Sequence, residues 1–260
     1  DPRFPYTESQ AFGAYLSFFL YAAWISRSYI RQVVLRAMNK PSTADDSREP
    51  ISYRSALMGI VGGAILLISF AHFMGMTLWV AILFFLMYFG LAISITRMRA
   101  ELGTPVHDLH FTGPEMIMTR TMGSKAFDTP TLTTFALFFW FNRAYRSHPM
   151  PHQLESFKLA EQSRADYKKW WWALFILGTL AIFIAFWAVL HLMYTYGAEG
   201  KSFMTFGAEP YNQLNTWIKT PEKGKFQEFM AIWAGFGVAF LLQFLRVRLP
   251  WWPLHPLAYA

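Results

Sequence analysis

The stretch SALMGIVGGAILLISFAHFMGMTLWVAILFFLMYFGLAISIT, residues 55–96, decides how the chain is to be read. It holds no acidic or basic residue and a single histidine, His72. A helix rises about 1.5 Å per residue and a hydrocarbon core is about 30 Å thick, so the run is long enough for two crossings. It reads as a helical hairpin, Ser55–Met74 and Thr77–Thr96. Glycine tolerates a tight turn, which puts the break at Gly75, and Trp79 suits the headgroup level.

Working outward, three more runs have the same character. Trp170–Tyr196 follows Lys168 and Lys169 and opens on three tryptophans. Phe226–Leu245 ends at Arg246, Arg248 and Pro250. Ala11–Ser26 is shorter and ends at Arg27 and Arg31. The spans are therefore expected at 11–26, 55–74, 77–96, 170–196 and 226–245, in an all-α polytopic membrane bundle that forms one domain over 1–260. Composition agrees, since 54% hydrophobic and 15% charged residues leave too little polar material to cover a soluble surface.

Charge sorts the loops. Segments 27–54, 97–169 and 246 onward hold 18 of the 23 basic residues. Cytoplasmic loops carry that excess, so the amino terminus is expected outside and the carboxyl terminus inside. The partners this implies are the lipid bilayer, the remaining transmembrane helices of a longer chain, and a small solute. Nucleic acid is not expected, because the basic residues flank apolar runs and form no stripe with interleaved aromatics. No cofactor is expected, and the absence of cysteine removes disulfides and thiolate metal sites.

Between the hairpin and the third run lies the polar region 97–169. Its apolar piece Thr131–Phe141 is too short for a straight crossing, and it is read as a re-entrant or membrane-surface element, with a buried piece of a larger bundle as the alternative. Gln153–Lys169 reads as a helix lying at the cytoplasmic surface.

The chemistry-bearing residues form three groups. Glu101, His107, Asp108, His110 and Glu115 fall within fifteen residues, bracketed by glycines and prolines that turn the chain. Imidazole and carboxylate there suit a divalent metal or a proton relay, although the spacing matches no zinc signature. Turn capping and backbone hydrogen bonds are the competing use, and no metal ligand is singled out. Arg143, Arg146, His148 and His152 suit an anionic substrate or lipid headgroup, against plain anchoring at the membrane surface. His72 and His191 lie inside spans, near their outer ends, where a histidine is either functional or simply reaches water. Gly59 and Gly63 have the spacing that lets helices approach closely. No P-loop, GxSxG elbow, HExxH or dinucleotide fingerprint occurs.

Three strings carry a resemblance: RMRAELGTPVHDLHFTGPE (97–115), FFWFNRAYRSHPMPHQLE (138–155) and LRVRLPWWPLHPLAYA (245–260). They resemble an uncharacterised family of long prokaryotic multi-pass membrane proteins, loosely similar to oligopeptide transporters. The resemblance implies the carboxyl-terminal portion of such a protein and carries over no catalytic or binding residue. The function expected is part of a secondary transporter or permease. A membrane-embedded enzyme acting on a lipid-linked or acidic substrate, or a structural subunit, are the alternatives.

Overall fold

Residues 55–96 do fold as a hairpin, of α2 (Tyr53–Phe73) and α3 (Leu78–Leu102). Gly75 turns between them at a φ of 103°, a region that side-chain-bearing residues avoid. The structure is a computed structural model and describes residues 3–103, 108–109, 112–146, 148–197, 204–249 and 251–259. Around the hairpin stand α1 (Thr7–Ala37), α4 (Pro114–Thr121), α5 (Thr129–Asn142), α6 (Pro149–Gln162), α7 (Tyr167–Tyr196), α8 (Met204–Lys219) and α9 (Phe226–Arg248). The chain is all-helical, as its apolar runs require in lipid, where every backbone polar group must be satisfied within the protein.

Among the described residues four helices are long and apolar enough to cross a membrane: α2, α3, α7 and α9. The expected fifth span, 11–26, lies in α1, which runs on to Ala37 but is not among the four. Serines, tyrosines and Arg27, Arg31 and Arg36 dilute its apolar character. It is nevertheless built into the bundle. Ser9 donates to Glu228, and Gln243 donates to Ser17 at 3.0 Å, so α1 and α9 run side by side in the same direction.

Their backbones touch. A Cβ on Gly13 would lie 1.9 Å from the Ile232 carbonyl oxygen, and one on Gly235 would lie 2.0 Å from that of Gln10. Such approach is how helices associate where lipid competes equally for apolar side chains. Gly59 and Gly63, expected to pack in this way, have nothing within 4 Å of a Cβ. α7 has no buried residue and meets α6 through its first turn, where Trp170 Nε1 donates to Ser156 Oγ at 2.9 Å.

The segment 97–169 departs most from expectation, because it does not gather at one end of the bundle. At the hairpin end, the Thr77 amide donates to Thr131 Oγ1 at 3.1 Å, and the ring of Trp79 stacks on Phe127 at 6.2 Å. Lys125 N–H donates to the Glu222 carbonyl at 3.1 Å, which brings the start of α9 to the same end. At the opposite end, Arg99 near the close of α3 is paired with Glu155 of α6. Between these ends, Tyr145 stacks on Tyr88, near the middle of α3, with centroids 5.2 Å apart. Thus α5 runs from the hairpin end to the middle of α3, and α6 continues to the far end. Thr131–Phe141 belongs to a fourteen-residue helix that buries one face on α3, with Phe135 and Phe138 against Phe84, and leaves Trp140 exposed. The helix expected at 153–169 ends at Gln162 and packs on α3.

Candidate functional site

The interruption between α5 and α6 is written locally. Tyr145 takes a positive φ of 57°, and His148 precedes Pro149, which disfavours helical backbone at His148. On the facing segment, Gly113 is extended and Pro114 opens α4, where a missing N–H costs nothing. Leu109 N–H donates to the Ala144 carbonyl at 3.0 Å, which fastens the start of one segment to the break in the other. α4 then leads towards Ser124, whose hydroxyl accepts from Glu222 N–H at 3.0 Å at the hairpin end. Two half-length helices, α4 and α5, therefore lie between the hairpin end and the middle of the bundle, and both stop there.

At their meeting point Asn142, the last residue of α5, donates from Nδ2 to the Glu115 carboxylate of α4. Both are buried, at 0% and 1% exposure. Asn142 Oδ1 is sealed from solvent and has no hydrogen-bond partner among the described residues. Such groups are rare, since leaving one costs about 1–3 kcal/mol. Glu115 sits in the first turn of α4, where amide dipoles favour negative charge. The charged groups nearby are engaged. Arg143 Nε donates to Glu209 of α8 at 2.9 Å, and Arg120 lies 3.4 Å from Glu8 of α1. Arg146 Nε donates to Asp108 at 2.7 Å.

A family model described as a family of unknown function (DUF6785) matches residues 1–260. The chain belongs to the DUF6785 family. No curated protein and no solved structure matches it.

In this DUF6785 chain the expected five-residue polar group is spread along the fold. Glu101 stays at the far end of α3 and pairs with Arg97 one turn back. Asp108 pairs with Arg146 beside the break, and Glu115 faces Asn142. His107 and His110 lie outside the described residues. Among the described residues no group of three histidine, aspartate or glutamate side chains is placed to hold a metal. Arg143 and Arg146, read as contacts for an anion, pair instead with the protein's own carboxylates. His148 Nδ1 lies 3.1 Å from the Tyr88 hydroxyl, and His152 Nε2 lies 3.4 Å from the Arg146 carbonyl. His72 Nδ1 lies 2.9 Å from the Met76 carbonyl and closes the hairpin turn, while His191 stacks on Trp187 along exposed α7.

Sequence reasoning missed Asn142, Glu209 and α8. The signal for α8 was Leu214 and Trp217 at helical spacing, which pack on the Phe127 and Phe135 cluster. Asn142 announced itself only as a polar residue ending an apolar run.

Two cavities are lined by residues close to Glu115 in sequence, though by neither Glu115 nor Asn142. One of about 240 Å³ is lined by Met116, Thr119, Arg120, Gln213 and Thr216. The other, of about 320 Å³, is lined by Glu8, Gln10, Asp108, Leu109, Thr112 and Tyr259. Glu115 lies in sequence between the two linings. A cavity of about 840 Å³ lies elsewhere, at the far end of α3 among Glu49, Arg99, Leu154 and Glu155. Arg99 is committed there to Glu155, with Nη2 3.0 Å from Oε2.

Proposed function

We propose that this chain forms part of a secondary transporter for a small solute, with its polar centre at the broken helices α4 and α5. The observation that carries the reading is the buried Glu115–Asn142 contact, made where two half-length helices stop inside the bundle. Non-helical backbone at membrane depth is tolerated where it is buried in protein or lines a water-filled cavity, and helix ends there present polar groups to solutes and coupling ions. The bundle offers helix ends of this kind, and cavities lined by Met116 and Thr119 and by Asp108 and Thr112 lie near them in the chain. In this reading the charge bias of the loops sets the hairpin end outside, in a prokaryotic cytoplasmic membrane.

The test is solute-evoked charge movement in proteoliposomes holding the purified full-length chain, scanned over amino acids, short peptides and organic acids. At least one class should evoke a response that saturates with concentration and is lost in Glu115→Leu protein that still elutes as a single species. A folded, reconstituted protein that responds to none of these classes would overturn the reading.

A further inference from the structure

The Glu115–Asn142 contact is a hydrogen bond whose direction depends on a proton. An ionised carboxylate only accepts, so it must face the amide's N–H; a protonated one also donates and can face the amide's oxygen. Asn142 carries both atoms on one planar group and presents the first to Glu115 while its Oδ1 accepts from nothing among the described residues. We propose that Glu115 and Asn142 form a buried proton-binding site in which uptake of one proton by Glu115 reverses the Asn142 amide.

The step is a plain proton transfer. A hydronium ion reaching the pair gives up a proton, an O–H bond forms on the Glu115 carboxylate, and water is left behind. The Nδ2–H bond to Glu115 breaks, and the new carboxyl O–H donates to Asn142 Oδ1. Nothing is oxidised or reduced. A proton fits better than a metal ion, since hard cations take about six oxygen ligands and the side chains here offer the Glu115 carboxylate and one amide oxygen.

The charged groups around Glu115 have partners of their own, while Arg120 also acts on Glu115 at longer range. Arg120 on the same helix is paired to Glu8 of α1, and Arg143 to Glu209 of α8. Asp108 is paired to Arg146, and Glu228 of α9 to Arg3 and Ser9. Tyr145 stands within electrostatic range of Glu115 and stacks on Tyr88 of α3. Among the described residues no cation lies within ion-pairing distance of Glu115. Because Asn142 ends α5 and Glu115 lies in the first turn of α4, reversing the amide changes a side-chain hydrogen bond between the two half-helices. That this change drives a solute past the break rests on the transporter reading; the proton site itself does not.

Infrared difference spectra of the purified chain in lipid nanodiscs, titrated with acid and base, test the proposal. A carbonyl band of a protonated carboxyl should grow on acidification, vanish in Glu115→Gln, and persist in Glu228→Gln. Asn142→Leu should shift the midpoint of its titration, which a role confined to packing would not do. If Glu115→Gln fails to fold, Glu115→Asp grown on isotopically labelled aspartate should carry the label's shift in that band. A spectrum in which no band depends on residue 115 overturns the site, whatever the transport assay gives. A titrating band with no solute response in proteoliposomes removes the transporter reading and keeps the site.

Discussion

Arg143 and Glu209 show how little of a polar residue's use is visible from its neighbours in sequence. Each lies beside apolar helix, each keeps about a quarter of its side chain exposed, and each is the other's counter-ion. Removing one partner strands the other in a partly dry place. Arg143→Leu should therefore destabilise by roughly 1–2 kcal/mol, less than for a fully buried pair because water still screens the charge. The double change Arg143→Leu with Glu209→Leu should recover most of that loss, read as melting temperature in detergent; a double variant no better than the single one would show the pair is not coupled. Outside the bundle, in the loop 38–52, Asp46 is held below the usual carboxylate range by the Tyr53 N–H and by Arg36. A carboxyl lowered on folding stabilises above its unfolded pKa and loses that contribution as pH falls through the lowered value. Acidification should thus release this loop while Asp46→Asn does so at neutral pH, measured as faster amide exchange at Tyr53.

Among the elements, α1 and α9 depend on two glycines from different ends of the chain. The backbone contacts at Gly13 and Gly235 leave no room for a side chain, so a larger residue must push the helices apart. The chain has no cysteine, which allows a clean probe. Cysteines at Ser17 and Gln243, whose side chains meet at 3.0 Å, should cross-link readily in the parent and fail to do so when Gly235→Leu is added. Equal cross-linking with and without Gly235→Leu would show that the close approach is not required. The same change at Gly63, which has open space around it, should leave that cross-link intact.

Across the whole molecule, the consequence of two broken segments is that residues 97–169 visit both ends. Lys125 keeps company with Glu222 and the hairpin turn, whereas Ser163 lies just beyond α6, which is paired to the far end of α3. A cysteine placed at Lys125 should accept a membrane-impermeant thiol reagent in intact cells, and one at Ser163 only after the membrane is opened. Labelling of both from one side would return the region to a single face.

The hairpin, α7 and α9 were legible because hydropathy is a local property: a run such as 55–96 has no use for water wherever its neighbours lie. The break at Gly75 also followed from nearby residues, since a turn announces what it needs. Depth in the bundle is different. Nothing in TLTTFALFFWF states that Thr131 meets Thr77 at one end while Tyr145 reaches the middle of α3, because that register is set by packing on a helix far away in the chain. The same is true of Glu115 and Asn142, each ordinary beside its own neighbours. Only the antiparallel meeting of α4 and α5 encloses the two together, takes both out of water, and so turns a common acid and a common amide into a site.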